Sequence, residues 1–96
     1  MLVVVAYDVS TETKEGRRRL RRVAQACKDY GQRVQKSVFE CVLREADWVT
    51  LRHRLLKEIE EGEDSLRFYF LDEIARSRTE HHGVGEPVDL EGPLVL

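Results

Sequence analysis

An aspartate ends the apolar run "LVVVAYDVS", Leu2 to Ser10, and five arginines fill the six positions from Arg17 to Arg22. Carboxylates hold hard cations and guanidinium groups take phosphate oxygens in pairs, so the two features together suit chemistry on phosphate esters. Local sequence leaves Asp8 a plainer use as well. Aspartate forms turns and caps helices, and Ser10, Thr11 and Thr13 follow in a segment it could brace. A two-fold assembly that brought two copies of Asp8 to ~6 Å, at an effective dielectric of ~20, would cost roughly 3 kcal/mol in repulsion. A shared proton relieves that cost, and so does magnesium, which accepts one or two carboxylates and keeps waters for substrate phosphates. With a metal in place a phosphodiester is polarised and a bound water loses its proton more easily, which is the chemistry of hydrolysis.

On a helix with Leu20 turned inward and ~100° per residue, Arg18 and Arg22 face solvent, Arg17 and Arg21 lie on one flank and Arg19 on the other. Charge runs usually form a solvated face, but this density exceeds what solubility requires. A patch neutralising ~4 phosphates would give a slope of about −3.6 in log K against log salt concentration. Arg17, Arg18, Arg19 and Arg22, extended by Arg33, Arg76 and Arg78, are the candidate nucleic-acid contacts. Tyr7 stands beside Asp8, and Ser37 sits where a strand is expected to break. His53, His81 and His82 have no partner spacing that makes a metal site.

Ninety-six residues suffice for one two-layer domain, and a chain this small gains from further burial in an oligomer. The net charge of −2 conceals segregation: Lys14 to Arg22 holds six bases and one acid, Glu58 to Asp64 five acids and no base. A basic patch for a polyanion is therefore compatible with an acidic whole. Cys27 and Cys41 follow neither a C-x-x-C pattern nor a disulfide framework and are expected as small core residues in a reducing cytosol. The first apolar run stops at Tyr7, too short for a signal segment or a bilayer span, so a cytoplasmic protein without membrane contact is expected.

These groups need elements to place them. The β-branched run Leu2 to Tyr7 suits a central strand. Leu20, Val23, Ala24 and Cys27 form a helical stripe between Lys14 and about Asp29, stopped by Gly31. From Arg33 to Leu43 the alternation changes phase, which predicts a bulge or break near Lys36 and Ser37. Trp48, Leu51, Leu55, Leu56 and Ile59 mark a second helix that ends before Gly62. Leu66, Phe68 and Phe70 alternate with Arg67, Tyr69 and Leu71 in another long strand, and a short strand over Ile74 to Thr79 is expected after a turn at Asp72 and Glu73. The order βαββαβ predicts an α+β, ferredoxin-like sandwich over residues 1–79 with both helices on one face of the sheet. If Tyr69 and Leu71 lie on the bare face, a second copy is its simplest cover. The tail 80–96, ending in "PLVL", would then add as a strand to the partner's sheet edge.

The stretch "VVVAYDVS", the arginine-rich helix, "YGQRVQKSVFECVL", "DSLRFYFL" and the closing tail together resemble the CRISPR-associated endoribonuclease family Cas2. The strand-one "YD" and the "G-x-RVQ-x-SVFEC" block, at family-like spacing, are the most specific parts. The resemblance implies a ferredoxin-like homodimer in which Asp8 of each subunit binds a shared magnesium ion. It implies a metal-dependent endonuclease cutting single-stranded RNA or double-stranded DNA, and a place beside the CRISPR integrase subunit in spacer acquisition for antiviral defence. By motif position it adds Tyr7, Ser37 and Phe39 to Asp8 as catalytic residues, assisted by Arg18 and Arg33. A DNA-gripping scaffold that bridges integrase subunits would need the arginines but not Asp8. A toxin-type RNA nuclease would share the dimer and the strand-one acid. A small-molecule module would need an apolar pocket or a glycine-rich phosphate cradle, and no such motif occurs.

Overall fold

The computed structural model describes residues 1–72 and 74–84, Arg76 by its backbone alone. The chain runs β1 (Leu2–Asp8), α1 (Lys14–Tyr30), β2 (Gln32–Gln35), β3 (Val38–Val42), α2 (Glu45–Glu58), β4 (Ser65–Leu71) and α3 (Ile74–Ser77). The strands form one sheet in the order β2-β3-β1-β4, with every pairing antiparallel. The β-branched first strand is central, and the expected ferredoxin-like α+β order is the one observed.

Alternation along β1 sends Val3, Val5 and Tyr7 into the helix-covered core and leaves Leu2, Val4, Ala6 and Asp8 on the other face. Val23, Ala26 and Cys27 of α1 meet Trp48, Leu51 and Leu55 of α2 over Phe39 and Cys41 of β3. The Trp48 ring stands edge-on to Phe68 and Phe70, at 4.8 and 5.2 Å between centroids. Leu56, expected in the apolar stripe, is instead 38% exposed, because the helix buries only the Trp48, Leu51 and Leu55 side. Cys27 and Cys41 are free, buried thiols, and burial pushes both up to about 12.

Thr13 starts α1, its hydroxyl accepting the Gly16 N–H at 3.0 Å. Gly31 stops it, donating its N–H to the Cys27 carbonyl at 2.8 Å. The chain there presses so closely on β3 that a Cβ would collide with the Cys41 sulfur and the Glu40 carbonyl. The predicted break at Lys36 and Ser37 is the turn of the β2-β3 hairpin, and register shifts between Arg33 and Gln35.

The segment after β4 corrects the expected strand: Ile74–Ser77 is a short helix. Asp72 determines this locally, because its carboxylate accepts the Ala75 N–H at 3.1 Å and so caps a turn in place of a ladder. Across the sheet from the helices, register sets Leu2, Val4 and Ala6 beside Val38, Val42, Tyr69 and Leu71. Tyr69 and Leu71 are 45% and 42% exposed, so this face carries apolar surface that the chain itself leaves open. The expected tail strand falls largely outside the described residues, which end at Val84. Among the described residues no helix is long and apolar enough to cross a membrane.

Candidate active site

The end of β1 keeps only one of its two partner strands. Pairing with β3 stops at Ala6 and Val38, while β4 follows as far as Asp8 opposite Ser65. The Tyr7 N–H closes the β3 side, donating to the Ser37 carbonyl at 3.1 Å. Asp8 is exposed, and among the described residues no hydrogen bond or ion pair engages its carboxylate. The duties that a strand-end aspartate commonly performs are taken by other residues: Thr13 caps α1, and Asp64 braces the loop.

Asp64 immediately precedes Ser65, the register partner of Asp8. Its side chain is fully buried. One carboxylate oxygen accepts the Ser10 N–H at 3.1 Å and the Arg19 Nη2 at 3.2 Å. The other accepts the Glu60 N–H at 2.8 Å and the Arg19 Nε at 2.9 Å. Burial pushes this carboxyl upward, but the Arg19 guanidinium and the two backbone amides outweigh it and hold the group below its ordinary value. Arg19, expected as a nucleic-acid contact, is thus spent inside the fold: its side chain is 16% exposed and lies 3.9 Å from Glu63 as well.

Tyr7, Phe39 and Arg33 stack on the helix side of the sheet, the face opposite Asp8. The two rings lie 6.2 Å apart at 23°, and the Arg33 guanidinium carbon sits 5.0 Å from the Phe39 centroid. Burial pushes the Tyr7 hydroxyl above its usual value, while the neighbouring Arg33 draws it back. Phe39 is fully buried and Tyr7 nearly so, which makes both supports beneath the end of β1. Ser37 is half-buried in the hairpin turn.

The remaining arginines separate by partner. Arg17 donates to the Thr11 carbonyl at 3.1 Å, and Arg22 lies 3.8 Å from Glu58 across the helix pair. Arg18 and Arg21 are exposed on α1 without a side-chain partner among the described residues. Arg78 is exposed beyond α3, and the side chain of Arg76 lies outside the description.

The family model for CRISPR associated protein Cas2 matches residues 1–79. The chain belongs to the Cas2 family. It is 60% identical, over the full length of both proteins, to the CRISPR-associated endoribonuclease Cas2 of Chlorobaculum tepidum. Against the CRISPR-associated endonuclease Cas2 of Halalkalibacterium halodurans identity is 46%, again over both full lengths. The crystal structure of Streptococcus pyogenes Cas2 superposes with a TM-score of 0.76 at 54% identity, covering 86% of this chain and all of that one.

Within this chain, no group of three or more His, Cys, Asp or Glu among the described residues could enclose a metal ion. Asp8 nevertheless fits a hard cation of the magnesium type, which retains most of its waters and asks for one or two carboxylates only. One ligand per chain is what a site shared across a two-fold axis would use. Sequence reasoning passed over two features. Asp64 carried no motif, and its neighbouring acids hid it. Arg67 donates to the Tyr69 hydroxyl at 3.0 Å on the bare face opposite Ala6. The alternation of β4 was the available signal for its place there.

Proposed function

We propose that this Cas2-family chain is a metal-dependent endonuclease of single-stranded RNA or duplex DNA, working as a homodimer with Asp8 of each copy toward a shared magnesium ion. The observation that carries this is the exposed carboxylate of Asp8, unpaired among the described residues, at a strand end whose cap and brace are supplied by Thr13 and Asp64. The relatives named endoribonuclease and endonuclease support the same reaction class. Magnesium bound there would polarise the phosphodiester and lower the pKa of a water. Asp8 binds and orients, Tyr7 and Phe39 hold the strand beneath it, and Arg18, Arg21 and Arg33 take backbone phosphates. Closure of the dimer through Leu2, Val4, Val42, Tyr69 and Leu71 covers the bare face, and the tail from Glu80 adds to the partner's sheet edge. The biological setting we assign is spacer acquisition in antiviral defence, beside a CRISPR integrase subunit.

Asp8→Asn is expected to abolish cleavage of both substrates at every magnesium concentration while leaving the melting temperature unchanged, since the side chain supports nothing in the fold. Equal activity in mutant and wild type would overturn the assignment. One observation favours a second reading, a non-cleaving DNA scaffold. Arg18 and Arg21, unpaired among the described residues, lie on the helix layer, across the sheet from the Asp8 face. In that case Asp8→Asn leaves spacer capture intact, whereas Arg18→Glu with Arg22→Glu weakens duplex binding.

A further inference from the structure

We propose that Asp64 and Arg19 are positioning residues for Asp8: they clamp the loop through which the chain leaves Asp8 and thereby hold the carboxylate in register. The inference rests on the catalytic assignment of Asp8. Among the described residues the exposed Asp8 carboxylate has no side-chain partner, so it is located by its backbone, which is paired with β4 only. A strand end paired on one side frays unless the chain beyond it is tied.

The ties converge on one place. Ser10, two residues past Asp8, donates its N–H to Asp64 at 3.1 Å. Thr11 accepts from the Arg17 guanidinium through its carbonyl at 3.1 Å. The Ser10 carbonyl lies against Gly16 so tightly that a Cβ there would collide with it. Asp64 in turn adjoins Ser65, which faces Asp8 across the ladder. Both chain segments that meet at Asp8, its own and its partner's, therefore hang on a single buried carboxylate. Arg19 brings the second turn of α1 to the same point through two hydrogen bonds, at 2.9 and 3.2 Å. Loop, helix and strand entry are thus tied to one another, and a displacement of ~1 Å at a reacting group can cost about 10²-fold in rate.

The test compares Asp64→Asn, Gly16→Ala and Asp8→Asn with wild type, measuring Ser10 amide hydrogen exchange without metal or nucleic acid and steady-state cleavage per folded molecule. Gly16→Ala leaves every charge in place and substitutes a good helix former, so it tests the loop if Asp64→Asn fails to fold. Both loop variants are expected to lose Ser10 protection about tenfold or more and kcat by about ten- to a hundredfold, with KM within about threefold. Asp29→Asn, which breaks the exposed ion pair with Arg54 far from the loop, is expected to change neither. Loss of Ser10 protection with kcat unchanged, while Asp8→Asn is inactive, overturns the positioning role and spares the catalytic one. An active Asp8→Asn protein overturns both.

Discussion

Replacing Tyr69 by alanine is expected to weaken self-association by about three orders of magnitude, a figure that follows from the area involved. Tyr69 lies opposite Val4 in the middle of the bare face and is 45% exposed in the single chain. An aromatic side chain covers ~200 Å², so roughly 90 Å² remains for a partner to bury, or about 2 kcal/mol at ~25 cal/mol per Å². A two-fold interface uses the residue twice, which brings the loss to about 4–5 kcal/mol and ~10³-fold in Kd. Tyr69→Phe separates area from hydrogen bonding, because it removes only the hydroxyl that Arg67 donates to at 3.0 Å. A change below about tenfold is expected there. Sedimentation equilibrium over a protein concentration series measures both constants. A wild-type chain still monomeric at about 100 μM, well above ordinary stable-dimer constants, would refute the assignment of this face as the interface. So would a Tyr69→Ala chain that dimerises as tightly as wild type.

Acid should destabilise the fold partly through two aspartates. Asp64 is held below its ordinary value despite its burial, by Arg19 and two amides, and Asp29 by Arg54 and Gln25. A carboxyl depressed in the folded state adds stability above its unfolded value of about 3.9 and loses it as pH falls through the folded value. The melting temperature should therefore fall below about pH 4, and less steeply in Asp64→Asn; identical acid slopes would show that Asp64 is not a titrating support. For duplex DNA, Arg18→Gln with Arg21→Gln should flatten the slope of log K against log salt concentration by about 1.8, one released counterion per lost phosphate contact. An unchanged slope would place the interface away from α1.

Features with a short repeat were legible before the fold was known. Alternation in Leu66 to Leu71 set Tyr69 and Leu71 on the face opposite Phe68 and Phe70, register and packing then showed that face to be the bare one, and the phase change after Val34 marked the hairpin turn. Helix α3 was not legible, since four residues contain barely one turn and the deciding contact is the Asp72 cap on Ala75. Asp8 stood out as an acid at a strand end, but its freedom did not. That required knowing that Thr13 caps α1 and that Asp64, distant in sequence, braces Ser10. Arg19 shows the limit on the other side: a helical wheel put it on a flank, and the flank turned out to face a carboxylate 45 residues away.

The linear chain by itself indicated the order of the main strands and helices, because backbone periodicity is a local property, while the resemblance to the family rested on its motifs. Only the folded chain decided which charges are spent. Five neighbouring arginines look alike in one dimension. In three dimensions Arg19 is half-buried in its ion pair with Asp64 and Arg22 approaches Glu58, while Arg18 and Arg21 keep their guanidinium groups in solvent. Pairing between charges depends on distance through space, and that distance exists only after the loops of β1 and α2 have come together.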